Sequence, residues 1–220
     1  MTEKHEDGTT RRSFMATGAT AVAVTAAGVG IAGVAGSGQR AQGATLPLTP
    51  QCTDGDDTPP VIEGPYFRRN SPKRTNLRTT GVSGVLLSLT GFVYNIRCQP
   101  LGNVLLDFWQ ADQRGQYDNS TAQYRGRGHQ FTNADGSYTL ETIVPKDYPG
   151  RTPHIHVKVQ APNGPILTTQ LYFPGDTKAY GMNVAQLNAR DAYYITDTLI
   201  ALGPLTSNRY AGKFDFVIKR

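Results

Sequence analysis

At 220 residues, with 24 glycines, 14 prolines and aromatics that are mostly tyrosine, the chain has room for one domain with a real core and too little for a second. Dense Gly/Pro punctuation without long charged helical patterns predicts an all-β domain with many turns. The formal net charge of +5 falls only to +4 without residues 1–43, which is too diffuse for a nucleic-acid footprint, so no nucleic-acid partner is expected.

In chain order, Thr10-Arg11-Arg12-Ser13-Phe14-Met15 precedes a mildly apolar Ala/Gly/Val run from Ala16 to Gly36, the pattern of a twin-arginine export signal. That run is too weakly hydrophobic to favour a membrane helix. Residues 1–43 are therefore expected to be a cleaved signal and linker, and residues 44–220 a secreted or cell-envelope domain with no stable membrane insertion after cleavage. An uncleaved anchor is the alternative. Cys52 and Cys98 both lie in the exported part, where an even count predicts a disulfide worth roughly 4 kcal/mol on the loop-entropy model. Two unrelated buried thiols are the alternative.

Residues 45–81, rich in Pro, Thr, Asp and basic side chains, are expected to form an irregular arm across the domain. Val85 to Tyr94 and Asn103 to Ala111 read as strands joined by a turn at Cys98–Gly102. From Asp112 to Asp135 the composition is that of a loop. Gly136 to Ile143 alternates as a half-buried strand, Ile166 to Phe173 forms another, and Phe214 to Ile218 closes the sheet. Gln186 to Leu202 presents one helical-looking face through Leu187, Tyr194 and Leu199. Short strands at this spacing predict an antiparallel β-sandwich.

Between two of these strands lies Asp147-Tyr148-Pro149-Gly150-Arg151-Thr152-Pro153-His154-Ile155-His156-Val157-Lys158-Val159. Strand side chains alternate faces, so His154 and His156 point the same way, as two ligands of one metal must. Pro149 and Gly150 mark a turn that can fold Tyr148 and Arg151 back toward that face. Taken alone, His-x-His serves zinc, iron and copper equally, and a chance pair is about as common. The remaining histidines are His5, in the signal, and His129, in a glycine-rich stretch without fixed spacing. Two histidines therefore need other donors, which tyrosines or carboxylates can supply.

Several ordered motifs carry a resemblance. Leu106-Asp107-Phe108-Trp109-Gln110-Ala111-Asp112, Gly115-Gln116-Tyr117, Arg127-Gly128, Gly136-Ser137-Tyr138, Thr142-Ile143-Val144-Pro145, Tyr148 and Arg151-Thr152-Pro153-His154-Ile155-His156 closely resemble intradiol aromatic ring-cleavage dioxygenases. Glu63-Gly64-Pro65-Tyr66 and Gln170-Leu171-Tyr172-Phe173-Pro174-Gly175-Asp176 extend the likeness over residues 63–176. The resemblance implies a prealbumin-like β-sandwich and an Fe(III) held by Tyr117, Tyr148, His154 and His156. It further implies Arg151, Gln170 and Tyr148 as catalytic residues, Arg151 and Gln170 facing the substrate ring and Tyr148 giving up its place to the bound catechol, with Tyr66 at the pocket mouth. The implied reaction cleaves a catechol between its hydroxylated carbons with O2, giving a cis,cis-muconate-type product.

One departure stands out: only five residues separate Tyr148 from His154, fewer than in many members, which implies a more open pocket. A metal-free prealbumin-like module binding carbohydrate or protein is the alternative function, and it has no need for the Tyr/Tyr/His/His quartet. A zinc hydrolase lacks a carboxylate ligand or base near His-x-His. The preferred catechol and the oligomeric state stay open.

Overall fold

In a computed structural model of the chain, residues 52 and 56–220 are described. The expected export signal and the expected boundary at residues 43–44 lie outside them. Strand β1 (Leu86–Asn95) buries Leu87, Leu89 and Val93 on one side. The same period-two pattern opens β2 (Leu105–Gln110) and β4 (Ser137–Ile143), whereas β5 (His154–Gln160) is buried on both faces from His154 to Val157 and β6 (Ile166–Tyr172) from Thr169 to Tyr172. β3 (Arg127–Phe131), α1 (Val184–Arg190), β7 (Ala201–Leu202), β8 (Arg209–Lys213) and β9 (Phe216–Ile218) complete the elements. Among the described residues no helix is long and apolar enough to cross a membrane.

Two sheets result, one ordered β3-β2-β5-β6 and the other β4-β1-β8-β7, with β9 pairing β1 further along. The first is antiparallel throughout. Leu87, Leu89 and Val93 of β1 share a core with Leu106 and Phe108 of β2, Ile155, Val157 and Val159 of β5, Leu171 of β6, and Phe214 and Phe216. Each such side chain, wholly buried, contributes about 1.5–3 kcal/mol. The all-β sandwich expected from the sequence is therefore the fold.

Three features depart from the expected elements. β8 and β9 both run parallel to β1, so the second sheet is mixed; the long return through α1 and β7 supplies the crossover that parallel pairing requires. β3 lies inside the stretch expected to be loop. Its Arg-Gly-His-Gln-Phe sequence lacks apolar alternation, but pairing with β2 on one side and the arm on the other, through Arg74 N–H to the His129 carbonyl at 2.9 Å, holds it extended. The helical face expected over residues 186–202 is confined to α1. Asp191 ends the helix in an extended conformation, and Thr196–Thr198 form a single 3-10 turn before β7.

The arm runs irregularly over the four-stranded sheet. Val61 N–H donates to the Thr168 carbonyl at 3.0 Å, His129 N–H donates to the Pro72 carbonyl at 3.0 Å, and Leu77 N–H reaches the Glu141 carbonyl at 2.8 Å. A Cys52–Cys98 disulfide ties its start to the turn after β1. The arm's backbone bonds run along strand edges, to β6, β3 and β4, while Tyr66 and Phe67 of the arm lie against Tyr117 and Trp109 on the face that carries His154 and His156.

Candidate metal centre

Alternation along β5 sends Ile155, Val157 and Val159 into the core and His154 and His156 to the opposite face. Register then sets their neighbours. His156 lies opposite Trp109 on β2 and Gln170 on β6, and His154 lies opposite Tyr172. The Trp109 indole stacks on the His156 ring at 4.7 Å and 8°, fixing its plane. His154 Nδ1 lies 2.7 Å from the Thr152 carbonyl; a carbonyl only accepts, so Nδ1 carries the proton and Nε2 the lone pair.

The phenols arrive on two loops that touch. Tyr148-Pro149-Gly150-Arg151 is a tight turn, closed by Arg151 N–H to the Tyr148 carbonyl at 2.9 Å. Gly150 has φ +80°, the value a type II turn needs at its third position after proline. Tyr117 follows a second turn, in which the Asp112 carboxylate accepts the N–H groups of Arg114 at 2.8 Å and Gln116 at 3.0 Å. Gly115, at φ +76°, lies so near the other loop that a Cβ would sit 2.4 Å from the Asp147 carbonyl oxygen. The two phenol rings meet edge to face at 5.8 Å.

Tyr117 Oη is 3.3 Å from His154 Nε2 and 3.1 Å from His156 Nε2, and the two nitrogens are 3.0 Å apart. A triangle of that size has points about 2 Å from every corner, the length of a metal–nitrogen bond. Three electron-rich atoms so close together fit a cation at their centre. Among the described residues no three His, Cys, Asp or Glu side chains gather; the oxygen beside the two imidazole nitrogens is a phenol's.

Electrostatics agree with that donor set. Burial, reinforced by the Arg151 charge, lowers His154 from 6.5 to about 3. Burial and the neighbouring His154 push His156 down in the same direction. Both imidazoles are thereby neutral, the form that ligates. Burial and the adjacent Tyr148 raise the Tyr117 phenol. Burial also raises Tyr148, opposed by Arg151. Without a cation, then, both phenols keep their protons.

Arg151 occupies the rim. Its Nε donates to both Asp191 oxygens, at 3.2 and 3.0 Å, Nη2 bonds to Gln170 Oε1, and Nη1 is 3.4 Å from Tyr148 Oη. Gln170 is held at its other end, where Nε2 donates to the Ile62 carbonyl at 2.7 Å. Tyr66 stacks on Tyr117 at 4.5 Å and meets Tyr148 edge-on at 6.2 Å. All seven residues singled out from the sequence, Tyr66, Tyr117, Tyr148, Arg151, His154, His156 and Gln170, come together in one place.

Trp109, Tyr172, Arg127 and Asp191 join them, residues to which the sequence assigns no separate role. Tyr172, two residues after Gln170, shares its face by alternation and donates to Gln170 Oε1 at 3.0 Å. Arg127, wholly buried, donates to the carbonyls of Tyr66 at 2.6 Å and Asp118 at 2.8 Å, joining the two walls around Tyr117. Asp191 has no local signal in the sequence.

A family model described as Dioxygenase matches residues 62–220. Catechol 1,2-dioxygenase 2 of Acinetobacter lwoffii is 31% identical over 143 residues, which cover 54% of this chain and 52% of that protein. The chain spans about half the length of the curated relatives it matches. Among solved structures, the dioxygenase domain of a dioxygenase carbohydrate-binding protein fusion from Streptomyces sp. SirexAA-E is 50% identical, with a TM-score of 0.66, over 74% of this chain and 99% of that one. 3-Chlorocatechol 1,2-dioxygenase from Rhodococcus opacus 1CP is 27% identical, with a TM-score of 0.62, over 74% of this chain and 73% of that one. With a family match across most of its length and the two-sheet fold of these structures, the chain belongs to the intradiol dioxygenase family.

Proposed function

We propose that this protein is a non-haem Fe(III) dioxygenase that opens catechol-type rings between the two hydroxylated carbons with O2, giving cis,cis-muconate-type dicarboxylic acids. The observation that carries this is the triangle of Tyr117 Oη, His154 Nε2 and His156 Nε2, with sides of 3.0 to 3.3 Å, bordered by Tyr148 and Arg151. When bound, Fe(III) supplies the Lewis acidity that keeps the phenols ionised and activates the diol.

The residues of the chain do the rest. The Thr152 carbonyl and the Trp109 ring hold the two imidazoles in ligating orientation. Tyr66 covers one face of Tyr117 and limits water there. A catechol must lose two protons to bind as a dianion; Tyr148 Oη, once ionised, is placed to accept one, and the other passes to solvent. Arg151 Nη1, beside that oxygen, favours negative charge on a substrate oxygen brought to the same position. The short spacing from Tyr148 to His154 supports an open pocket with weak selection among ring substituents. A metal-free binding module would leave this convergence without a use.

The test is the purified protein itself. About one iron per chain and a red-brown colour from tyrosinate charge transfer are expected, and catechol under isotope-labelled O2 should give a dicarboxylate labelled in both new carboxyl groups. A colourless, zinc-loaded hydrolase would overturn the assignment, as would a yellow semialdehyde from cleavage outside the diol.

A further inference from the structure

Arg151 is a flexible side chain asked to act at one fixed place, and the structure shows what restrains it. A guanidinium is planar, so two of its nitrogens held by separate partners leave the third no freedom of direction. Gln170 holds Nη2, and Gln170 is itself tied to the arm through Ile62. The other restraint is Asp191, whose carboxylate is wholly buried and contacts Nε through both oxygens. Nη1 alone is left facing the phenol oxygen of Tyr148.

Asp191 is itself strongly anchored. It is the residue that ends α1, its carboxylate accepts the N–H groups of Thr152 and Tyr193, each at 2.9 Å, and one turn earlier Asn188 bonds to the Thr152 hydroxyl at 2.5 Å and to the Phe173 carbonyl at 2.9 Å. The end of α1 therefore grips Arg151 and Thr152 together, and the Thr152 carbonyl in turn orients His154. A surface ion pair would not hold a guanidinium in this way.

We infer that Asp191 is the positioning residue of the site: it fixes the plane of the Arg151 guanidinium so that Nη1, and no other nitrogen, meets the oxygen at Tyr148 and the substrate that takes its place. Its kinetic consequence rests on the catechol-cleaving function proposed above, whereas its structural consequence does not.

The experiment separates the two. In metal-free protein labelled with nitrogen-15, the Arg151 Nε–H should give a resolved resonance protected from solvent exchange, and Asp191→Asn should abolish that protection while the backbone amides of β5 keep theirs. In iron-loaded protein Asp191→Asn should lower kcat roughly tenfold to a hundredfold, the range a misplaced catalytic group costs, with iron content and the visible band unchanged. In an Arg151→Ala background the same change should lower kcat far less, because the larger part of its effect runs through Arg151 and only the smaller part through Thr152. An Arg151 Nε–H that exchanges like an exposed arginine in the unaltered protein would overturn the inference, whatever the variants do. So would an equal loss of kcat in both backgrounds, which marks a general structural role. If the unaltered protein cleaves no catechol, the proposed function falls, and the exchange measurement still decides whether Asp191 holds Arg151.

Discussion

His154 is an imidazole placed where its protonated form is disfavoured. Burial and the Arg151 charge move its titration from 6.5 to about 3, while an unfolded chain would take up that proton near the ordinary value. Between those limits the unfolded state binds more protons, so stability is fully present above about pH 6.5 and is lost as pH falls toward about 3. For metal-free protein we expect the unfolding free energy from urea titrations, and the midpoint with it, to fall between about pH 7 and pH 4, the free energy by an amount on the order of a few kcal/mol. His154→Gln should flatten that dependence, and a wild-type midpoint indifferent to pH would contradict the assignment. Tyr117→Phe removes one oxygen from a ring that stays packed against Tyr66. It should change stability by about 1 kcal/mol or less yet lower iron content and visible absorbance together, as metal analysis and a spectrum would show. Arg151→Ala is expected to lower turnover roughly a hundredfold while iron content holds, a comparison that assay and metal analysis on one sample can make. These residues were legible because each sits in a short motif of recognisable chemistry. Tyr172 was equally within reach, since alternation from Gln170 places it on the same face. Asp191 was not, because it lies 40 residues from Arg151 along the chain and no motif of recognisable chemistry surrounds it.

Among elements, strands that bury one face announced themselves by alternation. Leu87, Leu89 and Val93 in β1 are an example, as are Ile155, Val157 and Val159 in β5. β3 and β8 did not, because Arg127 and Gln130 are buried as hydrogen-bonded polar groups and Ala211 and Gly212 leave little side chain to read. The apolar spacing of Leu187, Tyr194 and Leu199 suggested one helix, but Asp191 is drawn out of the helical conformation toward Arg151 and Thr152. The two turns that carry the phenols offer a paired test. Gly115 has φ +76° and an Asp147 carbonyl 2.4 Å from any added Cβ, whereas Gly150 has φ +80° and nothing within 4 Å. Gly150→Ala should cost about 1–2 kcal/mol from conformation alone. Gly115→Ala adds a backbone clash between the two phenol loops, so it should cost more and also lower iron binding. Thermal melts with iron analysis distinguish them, and equal effects on iron would show that the Gly115 contact does not position Tyr117.

At the scale of the whole molecule, the donors come from a loop after β2, a turn before β5 and β5 itself, so the site exists only once the sandwich and arm have closed. Arg11 and Arg12, outside the described residues, are proposed to direct export by a route that carries folded proteins. Folding first would let iron be loaded inside the cell, away from divalent copper and zinc, which outcompete iron for nitrogen and oxygen donors. Arg11→Lys with Arg12→Lys should leave coloured, active protein in the cytoplasm, as cell fractionation and assay of both compartments would reveal. Undiminished export would refute the route, and trapped protein without iron would separate targeting from metal loading. What the sequence determined by itself was local: the period-two burial that makes strands, the Pro149-Gly150 turn, and motifs whose order places the chain in its family. Tertiary structure alone decided the mixed sheet, the Trp109 ring against His156, the Gly115 approach to Asp147 and the Asp191 grip on Arg151. Each of these depends on the register and packing of elements far apart in the chain, and a pattern that repeats every two residues carries no information about which distant partner a strand or loop will meet.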